Sequence, residues 1–189
     1  GTSFNKAVEI YNATGAPVDL SAYTVELYSN GAAAPTASAT LSGTLADGDA
    51  FVMAHGSASA AILAVADLTS SSVINFNGDD AVVLRDSSGV VDVIGQVGFD
   101  PGTEWGTGLA STQDNTIRRQ PQICAGDTNA TDPFDPALEW NGFALDTFEG
   151  LGSHTANCAA AVGQPLPLSE EFDNCTLAGW EIVSVDADA

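Results

Sequence analysis

Positive charge is what this 189-residue chain lacks most. Lys6, Arg85, Arg118 and Arg119 are its only cations, against 25 Asp and Glu, for a formal net charge of −21. Proteins hold nucleic acid chiefly by neutralising phosphates with Lys and Arg, so this chain is expected to repel it. An anionic membrane surface is disfavoured for the same reason. Histidine is nearly absent as well: His55 and His154 sit in no nucleophile setting such as G-x-S-x-G, and turn-capping or solvent-facing roles are expected for both. A metal-dependent nuclease centre needs carboxylates and a His or Lys acid/base in one cleft, and Lys6 is the sole lysine. No glycine loop that could cradle a phosphate occurs. No apolar run reaches the length of a membrane span. No signal peptide opens the chain, and the expectation is that any signal was removed or lies outside it.

Cysteine is scarce too. Cys124, Cys158 and Cys175 fit no metal-ligand spacing. A Cys124–Cys158 disulfide is favoured, closing the C-terminal arm onto the domain and leaving Cys175 to pair beyond residue 189. The alternative is three buried thiols. With low Lys and abundant Thr and Asn, the disulfide reading points outside the cytoplasm.

What is present suits sheets. Hydrophobic residues make up 44% of the chain and nineteen are Gly; the aliphatics are Ala and Val rather than Leu, and the glycines imply frequent turns. Residues 7–11 alternate, with Val8 and Ile10 on one face. Residues 12–17 form a turn, and 18–20 lead into a strand over 23–28. Asn30-Gly31 is a hairpin signal that competes with the Ala-rich loop after it. Residues 36–41 and 51–54 read as further strands. Residues 57–66 are the single plausible helix, capped by Ser57, with Ile62 and Val65 or Ala66 facing the sheet.

Residues 73–98, VINFNGDDAVVLRDSSGVVDVIGQVG, read as a meander of three short strands with turns at 77–80 and 86–89. Val82 and Leu84 point one way, Ala81, Val83 and Arg85 the other, as in a sheet with one buried and one partly wet face. Residues 116–119 make a short strand, 126–136 an acidic loop, and 139–140 with 143–148 closing strands or turns. The sum is an all-β sandwich with at most one short helix. Domain boundaries follow composition: a sandwich over 1–157, a small-residue and proline linker over 158–167, and the truncated start of a second β domain over 168–189.

Three features could carry chemistry. In GDTNATDPFDP, Asp127, Asn129, Asp132 and Asp135 offer hard oxygen ligands at near-alternating positions, as calcium demands. The same residues serve equally as Asx-turn formers. The loop is no EF-hand, because Asp132 stands where Gly is needed and Glu139 falls one position late. Calcium is thus the one cofactor to which the chain offers a ligand set, with Asp79 and Asp80 a weaker second pair. Trp105, Trp140 and Trp180 could line a carbohydrate platform, although such residues more often cover the ends of a sandwich core. Sequons at Asn12, Asn129 and Asn174 would matter only in a eukaryotic secretory pathway.

NKAVEIYNATGAPVDLSAYTVELYSNG, LADGDAFVMAH, the meander, NTIRR and EWNGFALDTFEGLGSHT recur in the order seen in bacterial lamin tail domains, which the chain resembles over roughly residues 1–157. The resemblance implies an immunoglobulin-like β-sandwich and a non-catalytic module of a secreted or surface protein. A further strand usually precedes the NK segment in that family, so one strand edge is expected to stand exposed. LSEEFDNCTLAGWEIVSVDADA is similar to the opening of a choice-of-anchor J module. The expected function is a non-catalytic binding or structural module of an extracellular or cell-surface multidomain bacterial protein. Its partners would be other domains of the parent chain, or a protein or surface ligand, with no nucleic acid and no membrane. The alternative is an accessory domain of an extracellular nuclease whose catalytic part lies elsewhere.

Overall fold

Alternating apolar residues and glycine-punctuated turns produce a strand-dominated chain in the computed structural model, which describes residues 4–157. In chain order the strands are β1 (Ala7–Tyr11), β2 (Val18–Asp19), β3 (Thr24–Tyr28), β4 (Ala37–Thr40), β5 (Thr44–Leu45), β6 (Ala50–Ala54) and β7 (Leu68–Thr69). There follow β8 (Ala81–Asp86), β9 (Gly89–Ile94), β10 (Gly106–Thr107), β11 (Ala110–Ser111), β12 (Thr116–Arg119) and β13 (Trp140–Phe143). Two single-turn α-helices, α1 (Ala60–Leu63) and α2 (Pro136–Glu139), and one 3-10 turn (Leu20–Ala22) interrupt them.

Two sheets make the sandwich. One has the order β1-β6-β7, the other β4-β3-β8-β9. Val8, Ile10 and Met53 from the first meet Val25, Leu27, Val82 and Leu84 from the second around one apolar core. The period-2 pattern is the cause: Val82 and Leu84 face inward, as their spacing requires. The architecture is the expected immunoglobulin-like β-sandwich.

The outer face of the second sheet is drier than a partly wet face. Ala81, Val83 and Val93 pack under Trp105, with Phe134 and Val97 alongside. Gly95 makes this close approach possible. It sits at φ +91°, and a Cβ there would lie 2.9 Å from the Trp105 ring. At the other end of that face Arg85 Nε donates to Glu26 Oε2 at 3.2 Å, and the Tyr28 hydroxyl donates to the same oxygen at 2.7 Å. The outer face of the first sheet carries a small cluster of Ala54, Ala58 and Ile62, joined by Phe148 and Leu151.

Three local expectations need correction. Residues 73–76 are not a strand, so the meander has two strands, β8 and β9. The Ser70 hydroxyl and carbonyl accept the N–H groups of Val73 and Ile74, turning the chain so that both side chains are fully buried between the sheets. The helix starts later than expected: Ser59, not Ser57, holds the N-cap position, and its side chain makes no capping bond. Ile62 is buried as expected and Ala66 packs with it, while Val65 is 41% exposed. A second short helix, α2, ends the acidic loop. Asn30 and Gly31 do form a turn with φ of 51° and 71°, closed by Ala32 N–H to the Ser29 carbonyl. The Ala-rich segment then delays β4 to residue 37. The linker and second-domain readings, 158–167 and 168–189, lie outside the described residues.

Candidate functional site

A groove of about 860 Å³ opens on one side of the sandwich. Val8 and Ile10 of β1, Val82 and Leu84 of β8, Val91 of β9 and Ile117 of β12 supply apolar lining. Of these six, all but Val82 are only half-buried. The topology explains why it is open. Among the described residues β1 and β9 are each the end strand of a sheet, and the groove runs along these two edges.

The edge of β1 can be read group by group. His55 N–H donates to the Lys6 carbonyl and Asn12 N–H to the Asp49 carbonyl, both at 3.0 Å. With the register Val8↔Met53 and Ile10↔Phe51, even-numbered residues therefore turn their backbone groups toward β6. Ala7, Glu9 and Tyr11 turn theirs the other way, into the groove. The far side of β6 agrees: Val52 and Ala54 carbonyls accept from Asp67 and Ser70 next to β7. Among the described residues the outward groups of Ala7, Glu9 and Tyr11 have no backbone partner.

Side chains fix the groove walls. Asp92 Oδ1 accepts from Val93 N–H, from Asp127 N–H and from Arg119 Nη2, each at 2.9 Å. One carboxylate thus ties β9 to β12 and to the acidic loop. Arg119 also lies 4.6 Å over the Trp140 ring, and Arg118 4.6 Å over Phe143. On the β1 side, Glu9 Oε2 accepts from Gly152 N–H at 2.6 Å and Tyr11 meets the His154 ring edge-on at 5.0 Å. Sequence reasoning missed both Asp92 and the groove.

The residues singled out from sequence are mostly engaged in turns. Asp127 Oδ1 accepts from Asn129 N–H, Asn129 Oδ1 accepts from Thr131, and Asp135 Oδ1 caps α2 through Ala137 N–H. Asp132 is exposed on the same loop. Among the described residues no three His, Cys, Asp or Glu side chains converge to hold a metal ion. Asp79 and Asp80 are both buried. Asp80 spans the core loop, accepting from Asn30 N–H at 2.8 Å and Asn77 N–H at 3.1 Å. Burial pushes its carboxyl pKa up, and those two N–H donors offset part of the rise.

His55 is buried, stacked on Phe4 at 4.5 Å, and its Nδ1 caps a turn by accepting from Ser57 N–H. Trp105 fills core and Trp140 holds Arg119, while Trp180 lies outside the described residues. Cys124 is exposed and disulfide-bonded; Cys158 and Cys175 lie outside the described residues, so the expected Cys124–Cys158 pairing stays a proposal. No helix among the described residues is long and apolar enough to cross a membrane.

Fold and site together define a class: an immunoglobulin-like sandwich that carries an apolar groove. The family model of the lamin tail domain matches residues 1–98, and the chain belongs to that family. The match ends just after β9, so Trp105, β12, β13 and the acidic loop lie beyond it. Neither curated proteins nor solved structures yield a significant match.

Proposed function

We propose that this chain is a non-catalytic binding module and that the groove beside β1 is its binding site. One observation carries the reading: about 860 Å³ of open space with a substantially apolar lining, running along the β1 and β9 edges that end the two sheets among the described residues. Well-packed sandwiches close such space with side chains, and an apolar concavity of this size is the common form of a ligand site. Family membership supports the absence of chemistry, because the lamin tail domain is a non-catalytic immunoglobulin-like module.

The setting is part of the proposal. An excess of acid over base, and the disulfide at Cys124, fit an extracellular or cell-surface multidomain protein, bacterial by resemblance. The partner of Cys124 is then Cys158, and residues 168–189 open a second module similar to choice-of-anchor J. Asp127, Asn129 and Asp135 each use one side-chain oxygen to close a turn, which supports a turn-forming role for the acidic loop over calcium binding.

A neutral apolar dye tests the reading. Nile red should brighten on adding the native chain and brighten less with Ile117→Trp, whose larger ring narrows the groove. Equal brightening by both proteins, or none by the native chain, contradicts it.

A further inference from the structure

The acidic loop carries a motif that its turns do not explain. Asn129-Ala130-Thr131 is an N-glycosylation sequon, and Asp127 stands two residues before its asparagine. A carboxylate at that place is what oligosaccharyltransferases of the bacterial type require of an acceptor, beyond the Asn and Thr that eukaryotic enzymes read. The other two sequons lack it: Ile10 stands at that distance before Asn12, and Phe172 before Asn174. We infer that Asn129 is a glycan acceptor on a chain that reaches the outside of a bacterial cell. The restriction of sequons to a eukaryotic pathway then does not apply to this one. The inference rests on the proposed extracellular setting and is independent of the groove.

The fold separates the sequons further. Asn12 is 4% exposed, and its Nδ2 donates to the Ala16 carbonyl at 2.9 Å and the Leu45 carbonyl at 3.0 Å. Both amide hydrogens are engaged, so a sugar there would displace a bond and find no room. Asn129 is exposed, and among the described residues nothing accepts from its Nδ2. Only its Oδ1 is engaged, accepting from Thr131 N–H at 3.4 Å and Thr131 Oγ1 at 3.0 Å. Other groups hold the loop. Val97 N–H donates to the Ala130 carbonyl and Gln96 Nε2 to the Thr131 carbonyl, both at 2.7 Å, and Asp127 N–H to Asp92 Oδ1 at 2.9 Å. A sugar on Asn129 Nδ2 thus breaks none of these bonds.

The transfer takes a polyprenyl-pyrophosphate-linked oligosaccharide as co-reactant. Asn129 Nδ2 attacks the anomeric carbon of the first sugar, and a C–N bond forms as the C–O bond to pyrophosphate breaks. The lipid pyrophosphate leaves with the bonding electrons, and Nδ2 gives up one proton to a base of the transferase. The segment must lie extended in that enzyme, so the turn bonds of residues 127–131 form afterwards, on folding. Asp127 therefore serves twice: first as the charge that the transferase reads, then as the acceptor of Asn129 N–H at 2.9 Å.

The test is expression of the full chain, exported by a fused signal sequence, in bacterial cells that hold such a transferase and its lipid-linked glycan. Intact mass and peptide mapping should find one glycan, on Asn129. Asn129→Gln and Thr131→Ala should abolish it. Asp127→Asn keeps the turn oxygen but removes the charge, and should remove most of the modification, whereas Asp127→Glu should restore it. The glycosylated chain should melt within about 3 °C of the bare one, as befits a change at an exposed site. A bare native chain, in cells that modify a control acceptor, would overturn the inference. So would a glycan on Asn12 or Asn174 instead, full modification of Asp127→Asn, or a larger loss of melting temperature. Because the assay supplies export, none of these outcomes touches the extracellular setting. That setting fails instead if cell fractionation finds the parent protein in the cytoplasm.

Discussion

Trp105 offers the sharpest test of how the sandwich is held, because it lies beyond residue 98, where the family match ends, yet packs into the core. Its side chain is 5% exposed and covers Ala81, Val83 and Val93 on the outer face of the second sheet. Phe134 meets it edge-on at 6.0 Å. Trp105→Ala removes the lid over three fully buried aliphatics, a change that costs about 3–5 kcal/mol in well-packed cores. For a domain of this size each kcal/mol shifts the melting temperature by roughly 2–4 °C, so a drop of about 12 °C is expected. Trp105→Phe should behave differently. The indole Nε1 is buried without a hydrogen-bond partner, and removing it relieves about 1–3 kcal/mol of desolvation. That offsets most of the lost ring area, and a shift of under about 4 °C is expected. Calorimetry on the full chain reads both. If Trp105→Ala melts within about 3 °C of native, residues after 98 are not part of the cooperative unit and the packing argument fails.

Three further outcomes follow from the hydrogen bonds. Asp92→Ala should cost about 2 kcal/mol in urea unfolding, because three donors including the mostly buried Arg119 lose one acceptor; a loss under about 0.5 kcal/mol would contradict its role as a tie. Asp80 binds its proton more tightly folded than unfolded, so it adds stability as pH falls through its raised folded pKa, levelling off below the unfolded value of 3.8. In Asp80→Asn the rise in unfolding free energy on moving from pH 7 to pH 4 should be smaller than in the native chain; an unchanged profile would refute that assignment. Millimolar calcium should leave the melting temperature unmoved, whereas a rise growing with calcium would restore Asp127, Asn129, Asp132 and Asp135 as ligands.

Much of the sandwich was legible because alternation survives folding. β1, β3 and β8 lie where their patterns place them, and Val82 and Leu84 face the core as spaced. Residues 73–76 misled for a definite reason: a short apolar run reads alike as a strand or as a buried turn, and the bonds to Ser70 decide between them. The acidic loop was ambiguous in kind, since an Asx-turn and a calcium ligand use the same oxygens. Asp92 gave no local signal. Its three donors arrive from residues 93, 119 and 127, and only the fold brings the last two to it. The groove was invisible for a related reason. A strand's sequence does not say which of its sides is left without a neighbour; that depends on sheet order, here β1-β6-β7 beside β4-β3-β8-β9.

The groove as the binding site is the central claim, and amide shift mapping of the full chain titrated with neutral 1-hexanol tests it most directly. The account predicts saturable shifts confined to Ala7–Tyr11, Leu84, Val91–Ile94 and Thr116–Arg119. Shifts centred on another face, or none at millimolar alcohol, would contradict it.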